Sequence, residues 1–286
     1  MRKLALALML LSFVTVNQSI SQEIDYHFES TDKIGRTVFN PHPMKDDLIL
    51  PLPCRNSNYH IVFRKVYTNP PNDTDFNSSY DFYDGTDNAR NAAIQSKRQC
   101  KVRGSFSDSK GSFFYISKYE LTQGKYEAIV NHKCPKEPSV KDAIAKSGIS
   151  IDEAKEVARL YSDFLQTISN APKVHNENAT AILPYECFWS FAQSGGLAVS
   201  KTQLEQDLPN IESGLSIKDY AWGEGTDSAN GKVQVIGQKR PSELGLFDML
   251  GNVQEYMDEP FQATATDELS AQKGGSTVRG GGLHSL

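Results

Sequence analysis

The chain has 286 residues, of which 38% are hydrophobic and 23% charged, with a formal net charge of −5. That composition belongs to a globular protein with a sizeable core, in one large domain or two small ones, and excludes fibrous and low-complexity classes. The acidic balance gives no basic footprint, so no nucleic-acid partner is expected and any membrane association is expected to be peripheral.

At the N-terminus, Arg2 and Lys3 precede an apolar run from Leu4 to Val16, and small and polar residues follow through Ser21. This is the layout of a secretory signal with cleavage near Ser19-Ile20-Ser21, so residues 1–21 are expected to be a signal peptide and the protein to be exported. The run is short for a bilayer span, which leaves a retained anchor as the alternative. Export makes the four cysteines, Cys54, Cys100, Cys134 and Cys187, an even set in an oxidising compartment. Three pairings are possible and the spacing chooses none; one disulfide with two buried thiols, or no disulfide at all, is the plainer alternative. No two cysteines lie within a few residues, which argues against zinc.

Residues 22–99 are polar and rich in turn formers, with Pro41, Pro43, Pro51, Pro53, Pro70 and Pro71. They are expected to form an irregular region packed on a later domain, with a short strand over His60 to Tyr67 and a loop over Ser78 to Asp87. Phe113-Phe114-Tyr115-Ile116 is a compact strand pattern. Thr122 is a good N-cap for a helix carrying Tyr126, Ile129 and Val130. A second helix has Ser150 as its cap, Glu153 as the capping-box partner and a stripe of Ala154, Val157, Ala158, Tyr161 and Leu165. Pro184 introduces a third helix, with Phe188 and Phe191 facing inward and Gly195-Gly196 stopping it. From Tyr220 onward, recurring glycines predict loops and short strands.

The stretch Gly245-Leu-Phe-Asp-Met-Leu-Gly-Asn-Val-Gln-Glu-Tyr256 carries the most chemical information. Asp248 and Glu255 flank a Gly251-Asn252 step that predicts a sharp turn. Such a turn can aim carbonyl oxygens and two carboxylates at one point, the oxygen-rich arrangement that a hard cation such as calcium takes. The plainer alternative is a buried turn whose acids cap local N–H groups. Elsewhere there is no phosphate loop, nucleophile elbow or paired-histidine helix, and the six histidines are scattered. Three glycosylation sequons, at Asn72, Asn77 and Asn178, are no more than chance would supply.

Five blocks in order now point to one family. They are Phe114-Tyr-Ile-Ser-Lys-Tyr-Glu-Leu-Thr122; Leu183-Pro-Tyr-Glu-Cys-Phe-Trp189 with Gly195-Gly196; Tyr220-Ala-Trp-Gly223; the Gly245–Tyr256 stretch; and Val278-Arg-Gly-Gly281. Their succession over about residues 100–282 resembles the formylglycine-generating enzyme (sulfatase-modifying factor) domain family. The resemblance implies an α+β domain over 100–286, related to the C-type-lectin fold and with much irregular structure. It also implies calcium ligands at the side chains of Asp248 and Glu255 and the carbonyls of Gly251 and Val253, so a structural calcium is expected.

The departures from the family bear on activity. The oxidase keeps a copper-binding cysteine pair beyond its Arg-Gly-Gly-Ser block, and soft thiolates are what copper(I) asks for. Here the expected serine is Gly282, no cysteine follows, and the family's tryptophan in the Gly-Asn-Val block is Gln254. In the Leu-Pro block the leading arginine is Ile182, the threonine Tyr185 and the second glutamate Ser190. No catalytic residue is therefore assigned and copper is not expected. The domain also lacks the family's last strand, as in a chain truncated at its C-terminus.

Leu50-Pro-Leu-Pro-Cys54, Val62-Phe-Arg64 and Ala271-Gln-Lys-Gly-Gly275 resemble exported, type VI secretion-associated members of the family. That finer resemblance implies a periplasmic, non-catalytic accessory with a protein partner. The alternatives are a formylglycine-generating oxidase acting on a cysteine of a target protein, and a lectin-like ligand binder.

Overall fold

The protein is described from a computed structural model that covers residues 4–5, 8–11, 37–55, 58–69, 79–84, 98–174, 176–204, 214–223, 231–260 and 275–281. The strands in chain order are β1 (Leu4–Ala5), β2 (Met9–Leu11), β3 (Leu48–Pro51), β4 (His60–Tyr67), β5 (Tyr80–Asp84), β6 (Arg98–Val102), β7 (Phe106–Asp108), β8 (Gly111–Ser117), β9 (Lys173–Val174), β10 (Glu177–Asn178), β11 (Thr180–Ile182), β12 (Gln254–Pro260) and β13 (Ser276–Arg279). The helices are α1 (Gln123–Asn131), α2 (Ile151–Leu165), α3 (Glu186–Gln193) and the single turns α4 (Lys201–Leu204) and α5 (Ile217–Tyr220).

β8 organises the rest. Its residues alternate between the faces of a sheet, so Phe113 and Tyr115 join one apolar cluster while Phe114 and Ile116 join another. Burial on both faces explains why the strand reads as a continuous apolar run. β4 pairs antiparallel along one edge, from Phe63 opposite Ser117 to Tyr67 opposite Phe113, and β3 pairs with β4 beyond it. β2 and then β11 lie on the other edge, giving the order β11-β2-β8-β4-β3, with β7 folded back onto β8. α1 and α2 cover one face, where Ala154, Val157, Tyr161 and Leu165 pack with Tyr115 and Leu10; α3 covers the other, where Trp189 and Phe191 pack with Phe114. The result is an α+β fold.

Local chemistry sets the helix ends. The Ser150 hydroxyl accepts from Glu153 N at 3.1 Å while the Glu153 carboxylate accepts from Ser150 N at 2.7 Å, a complete capping box. Thr122 accepts from Lys125 N at 3.3 Å at the head of α1. α3 begins two residues after Pro184, and Gly195 ends the run at φ 99°. Phe191 is fully buried as expected, but Phe188 is only half-buried and meets Phe114 edge-on at 5.0 Å.

Two expectations about the first hundred residues need correction. The predicted loop over Ser78 to Asp87 contains β5, which pairs with β6 from Tyr80 opposite Val102 to Asp84 opposite Arg98. Long-range anchoring outweighs the missing periodicity: Phe82 is buried opposite Cys100, and Cys100 is joined to Cys187 of α3. Nor does the region simply pack on the later domain, because β3 and β4 are strands of the central sheet itself.

The second disulfide, Cys54–Cys134, joins the segment after β3 to the segment after α1, with Cα atoms 6.0 Å apart. Both bridges thus fasten the first hundred residues to the helical half. Among the described residues no helix is long and apolar enough to cross a membrane. Within the apolar N-terminal run, β1 runs parallel to β12 and β2 sits inside the central sheet.

Candidate metal centre

The predicted turn is present and unusual in its backbone. Asp248, Gly251 and Asn252 all have positive φ, at 57°, 80° and 51°. Two of the three are non-glycine residues, for which the left-handed region is uncommon and concentrates at functional turns. Gly251 has no room for a side chain, since a Cβ there would lie 2.0 Å from the carbonyl oxygen of Trp222. Asn252 N donates to that same oxygen at 3.1 Å, and Gly251 N donates to Gly280 O at 2.6 Å. Three of the sequence blocks, around Trp222, Gly251 and Gly280, therefore meet backbone to backbone. This contact explains why each is rich in glycine.

Three carboxylates are buried around the turn: Glu120, Asp248 and Glu255, each at most 3% exposed. Asp248 Oδ2 accepts from Gly237 N at 2.6 Å, while its Oδ1 is buried with no hydrogen-bond partner. Glu255 accepts from the indole N–H of Trp189 on α3. Glu120, midway between β8 and α1, accepts from Asn252 Nδ2 at 2.6 Å and from Val253 N at 3.2 Å. Asn252 Oδ1 in turn accepts from Gln234 N at 2.8 Å.

Burial is the main reason all three acids hold protons more tightly than in water. Glu120 is pushed well above the usual range by burial, then by the nearby charges of Asp248 and Glu255. Burial raises Asp248 to about 6, opposed by the Gly237 N–H. Glu255 rises to about 8, first through burial and then through Asp248, with the Trp189 contact opposing. No cationic side chain contributes to any of these shifts. Clustered buried acids without a basic partner must either bind protons or face a bound cation.

Asp248 and Glu255 influence one another electrostatically, and Gly251 and Val253 lie on the turn between them in the chain. The carbonyl oxygens of Met249 and Val253 lie 3.3 and 3.6 Å from where a Cβ on Gly280 would sit, so that glycine keeps the space beside them clear. Among the described residues no three His, Cys, Asp or Glu side chains form a ligand set. Both oxygens of Glu120 are engaged in bracing the turn. Two carboxylates completed by carbonyl oxygens form a donor set that suits a hard cation rather than zinc or copper. The partnerless Asp248 Oδ1 is the atom such an ion would satisfy.

Glu120 and Trp189 stand in the sequence blocks above without a role of their own, and Gln234 and Gly237 stand in none of them. An acid wedged between Tyr119 and Leu121 at the end of an apolar strand was the available signal for Glu120. The others are recruited from more than ten residues away and left no local signature.

The first half of the chain clasps this centre. The His42 ring stacks on Phe247 at 4.8 Å, and its Nε2 lies 2.7 Å from Gly237 O. Buried Asp47 pairs with Lys118 at 2.7 Å and Arg64 at 3.2 Å. Beside the turn lies an open cleft of about 230 Å³ lined by Gln193, Ser194, Tyr220, Arg240, Ser242 and Gly245. A smaller adjoining cleft shares four of these residues and reaches Asp248.

The position that holds tryptophan in the resemblance is Gln254, whose Oε1 is buried without a partner. All four cysteines are in disulfides. Residues 271–274 and 282–286 lie outside the described residues.

Residues 87–285 match the profile of the sulfatase-modifying factor enzyme 1-like domain. Among solved structures, Treponema denticola variable protein 1 superposes with a TM-score of 0.56 at 15% identity, covering 85% of this chain and 90% of that one. PvdO from Pseudomonas aeruginosa gives 0.50 at 14% identity, covering 84% and 87%. At such identities the likeness is one of fold. No curated protein gives a significant match.

Proposed function

The chain belongs to the sulfatase-modifying factor enzyme 1-like family, and on that premise we propose that it is an exported, non-catalytic binding protein whose Asp248–Glu255 turn is stabilised by calcium. The ligands are the side chains of Asp248 and Glu255 and the carbonyl oxygens of Gly251 and Val253. The observation that carries this reading is Asp248 Oδ1, a carboxylate oxygen buried without a donor beside a second buried acid. Calcium there would supply the positive charge that the surrounding side chains do not.

The non-catalytic part rests on thiol chemistry. Copper(I) oxidation of a target cysteine needs a pair of free thiolates, and the oxidised chain has every cysteine in a disulfide. Binding is favoured by the cleft beside the turn, whose Arg240, Tyr220 and Gln193 offer several hydrogen-bond donors. Export follows from the leader-like N-terminus and agrees with the two disulfides. We place the protein in the periplasm with a protein partner, as an accessory of type VI secretion signalling, on the sequence segments named above.

The rival reading is an oxidase of the formylglycine-generating type. Full chain supplied with copper(I) and a cysteine-containing peptide is expected to take up oxygen only at background rate. Copper-dependent uptake with aldehyde formation on the peptide would overturn the non-catalytic reading.

A further inference from the structure

An amine, a carboxamide and a carboxylate from distant parts of the chain meet in the interior. Asn40 and Asp47 precede β3, whereas Lys118 and Tyr119 directly follow β8. Asn40, Lys118 and Tyr119 are at most 2% exposed, and so is the Asp47 side chain. Lys118 Nζ donates to Asp47 Oδ2 at 2.7 Å, to Asn40 Oδ1 at 3.5 Å and to the carbonyl oxygen of His42. Asn40 Nδ2 donates to the same Asp47 Oδ2 at 3.3 Å, and the Tyr119 hydroxyl donates to Asn40 Oδ1 at 3.1 Å. The rings of Tyr119 and Phe247 flank the lysine nitrogen, with centroids 5.5 and 6.0 Å away.

Each group stands where an acyl transfer needs it. Burial is the main influence on Lys118 and lowers its pKa; Asp47 opposes this and Arg64 adds to it. A lysine freed of its proton is a nucleophile, and the carboxamide beside it is the acyl group. Tyr119 donates to the oxygen on which negative charge would develop. Asp47 Oδ2 touches both the nitrogen that must lose a proton and the nitrogen that must gain one. Solvent is kept away, which suppresses hydrolysis. Pro41 follows Asn40 and has no N–H, so the next backbone nitrogen cannot attack the Asn40 carboxamide first.

We propose that Lys118 and Asn40 become joined by a side-chain amide bond, formed within the folded chain by Asp47 as proton carrier. Asp47 takes a proton from the Lys118 ammonium, and the freed amine attacks Asn40 Cγ. The new N–C bond puts negative charge on Oδ1, where Tyr119 donates. Asp47 then gives its proton to Nδ2 as the Cγ–Nδ2 bond breaks and the carbonyl re-forms. The departing ammonia takes the surplus proton from the new amide nitrogen and leaves as ammonium, with Asp47 again a carboxylate. Nothing is oxidised or reduced, and no co-reactant is consumed. The bond would tie positions 78 residues apart. It would fasten the segment carrying His42 to the block whose Lys118 O accepts from Phe247 N at 3.0 Å, making the clasp on the candidate metal centre covalent.

Peptide mapping of the folded full chain tests this. Trypsin does not cut after an acylated lysine, so digestion should yield a branched peptide joining residues 37–45 to residues 111–125. Its mass should lie about 17 Da below the sum of the two, the loss of one ammonia, and fragmentation should place the branch at Asn40 and Lys118. Recovery of residues 37–45 and 111–118 only as separate linear peptides would overturn the proposal. Asp47→Asn is close in size but cannot carry the proton, and in protein whose two disulfides have formed it should lower the branched fraction at least about tenfold. An undiminished fraction would overturn the part given to Asp47. The wild-type map decides the bond by itself, whatever the folding of that variant.

Discussion

Lys125 of α1 offers a quantitative test of how the interior is built. It is 1% exposed, and its ammonium lies 5.6 Å from the ring centroid of Phe39 and 5.9 Å from that of Tyr119. Burial is the sole cause that brings its pKa from 10.5 down to about 7. Between those two values the native chain carries a neutral amine and the unfolded chain an ammonium. The unfolded state then binds more protons, so stability rises with pH through this window and is flat in this respect below it. A difference of 10.5 − 7 = 3.5 units, at about 1.36 kcal/mol per unit, gives at most about 5 kcal/mol over the whole window.

Lys125→Met keeps the aliphatic stem and removes the ionisable group. Urea unfolding of both proteins from pH 6 to pH 10 isolates the effect by subtraction, because groups such as Tyr161 titrate alike in both. Methionine should be the more stabilising residue near pH 6, and the gap should close by about 4 kcal/mol by pH 10. A wild-type-minus-variant difference that stays constant to within about 0.5 kcal/mol over this range would refute the reasoning.

Three further perturbations read the scaffold. Gly251→Ala combines a positive φ with a Cβ 2.0 Å from Trp222 O, and should destabilise by about 4 kcal/mol in chemical denaturation; a loss under about 1 kcal/mol would mean the Trp222 contact is not made. Replacing Cys100 and Cys187 by alanine opens a bridge spanning 87 residues of sequence, worth about 4.5 kcal/mol on the chain-entropy scale. Its loss should expose the β5–β6 ribbon to proteolysis, and a ribbon equally resistant in wild type and variant would contradict that anchoring role. Ser150→Ala removes the α2 cap and should lower stability by about 1 kcal/mol at neutral pH; no change would mean that Glu153 and solvent satisfy the helix end without it.

Legibility in the sequence followed the range of the interactions. The caps of α1 and α2, the apolar stripe of α2 and the extent of β4 were all readable, because each depends on residues within a few positions of one another. The strand Tyr80–Asp84 was not readable, since what holds it is a pairing with residues 98–102 and a disulfide 87 residues long. The candidate centre divides in the same way. Asp248, Gly251 and Glu255 were visible through the Gly-Asn turn that spaces them. Glu120 sits 132 residues from the Asn252 it braces, so its place in an apolar stretch marked it as unusual while its role became visible only in three dimensions. Cysteine pairing followed suit: four residues allowed three patterns, and only the geometry selected Cys54–Cys134 and Cys100–Cys187. The Asn178 sequon has a structural use, with Nδ2 donating to Leu165 O at 2.7 Å and Ile168 O at 2.9 Å at the end of α2.

Calorimetric melting of the full chain with and without calcium tests the central claim most directly. An ion that binds only the folded state stabilises it by about 2.7 kcal/mol at a hundredfold excess over Kd, equivalent to about 4–5 °C in Tm for a chain of this size. Wild type freed of metal by chelator should gain that increment when calcium is restored, and the Asp248→Ala, Glu255→Ala variant should melt lower and gain nothing. A wild-type Tm identical in chelator and in saturating calcium would contradict the account.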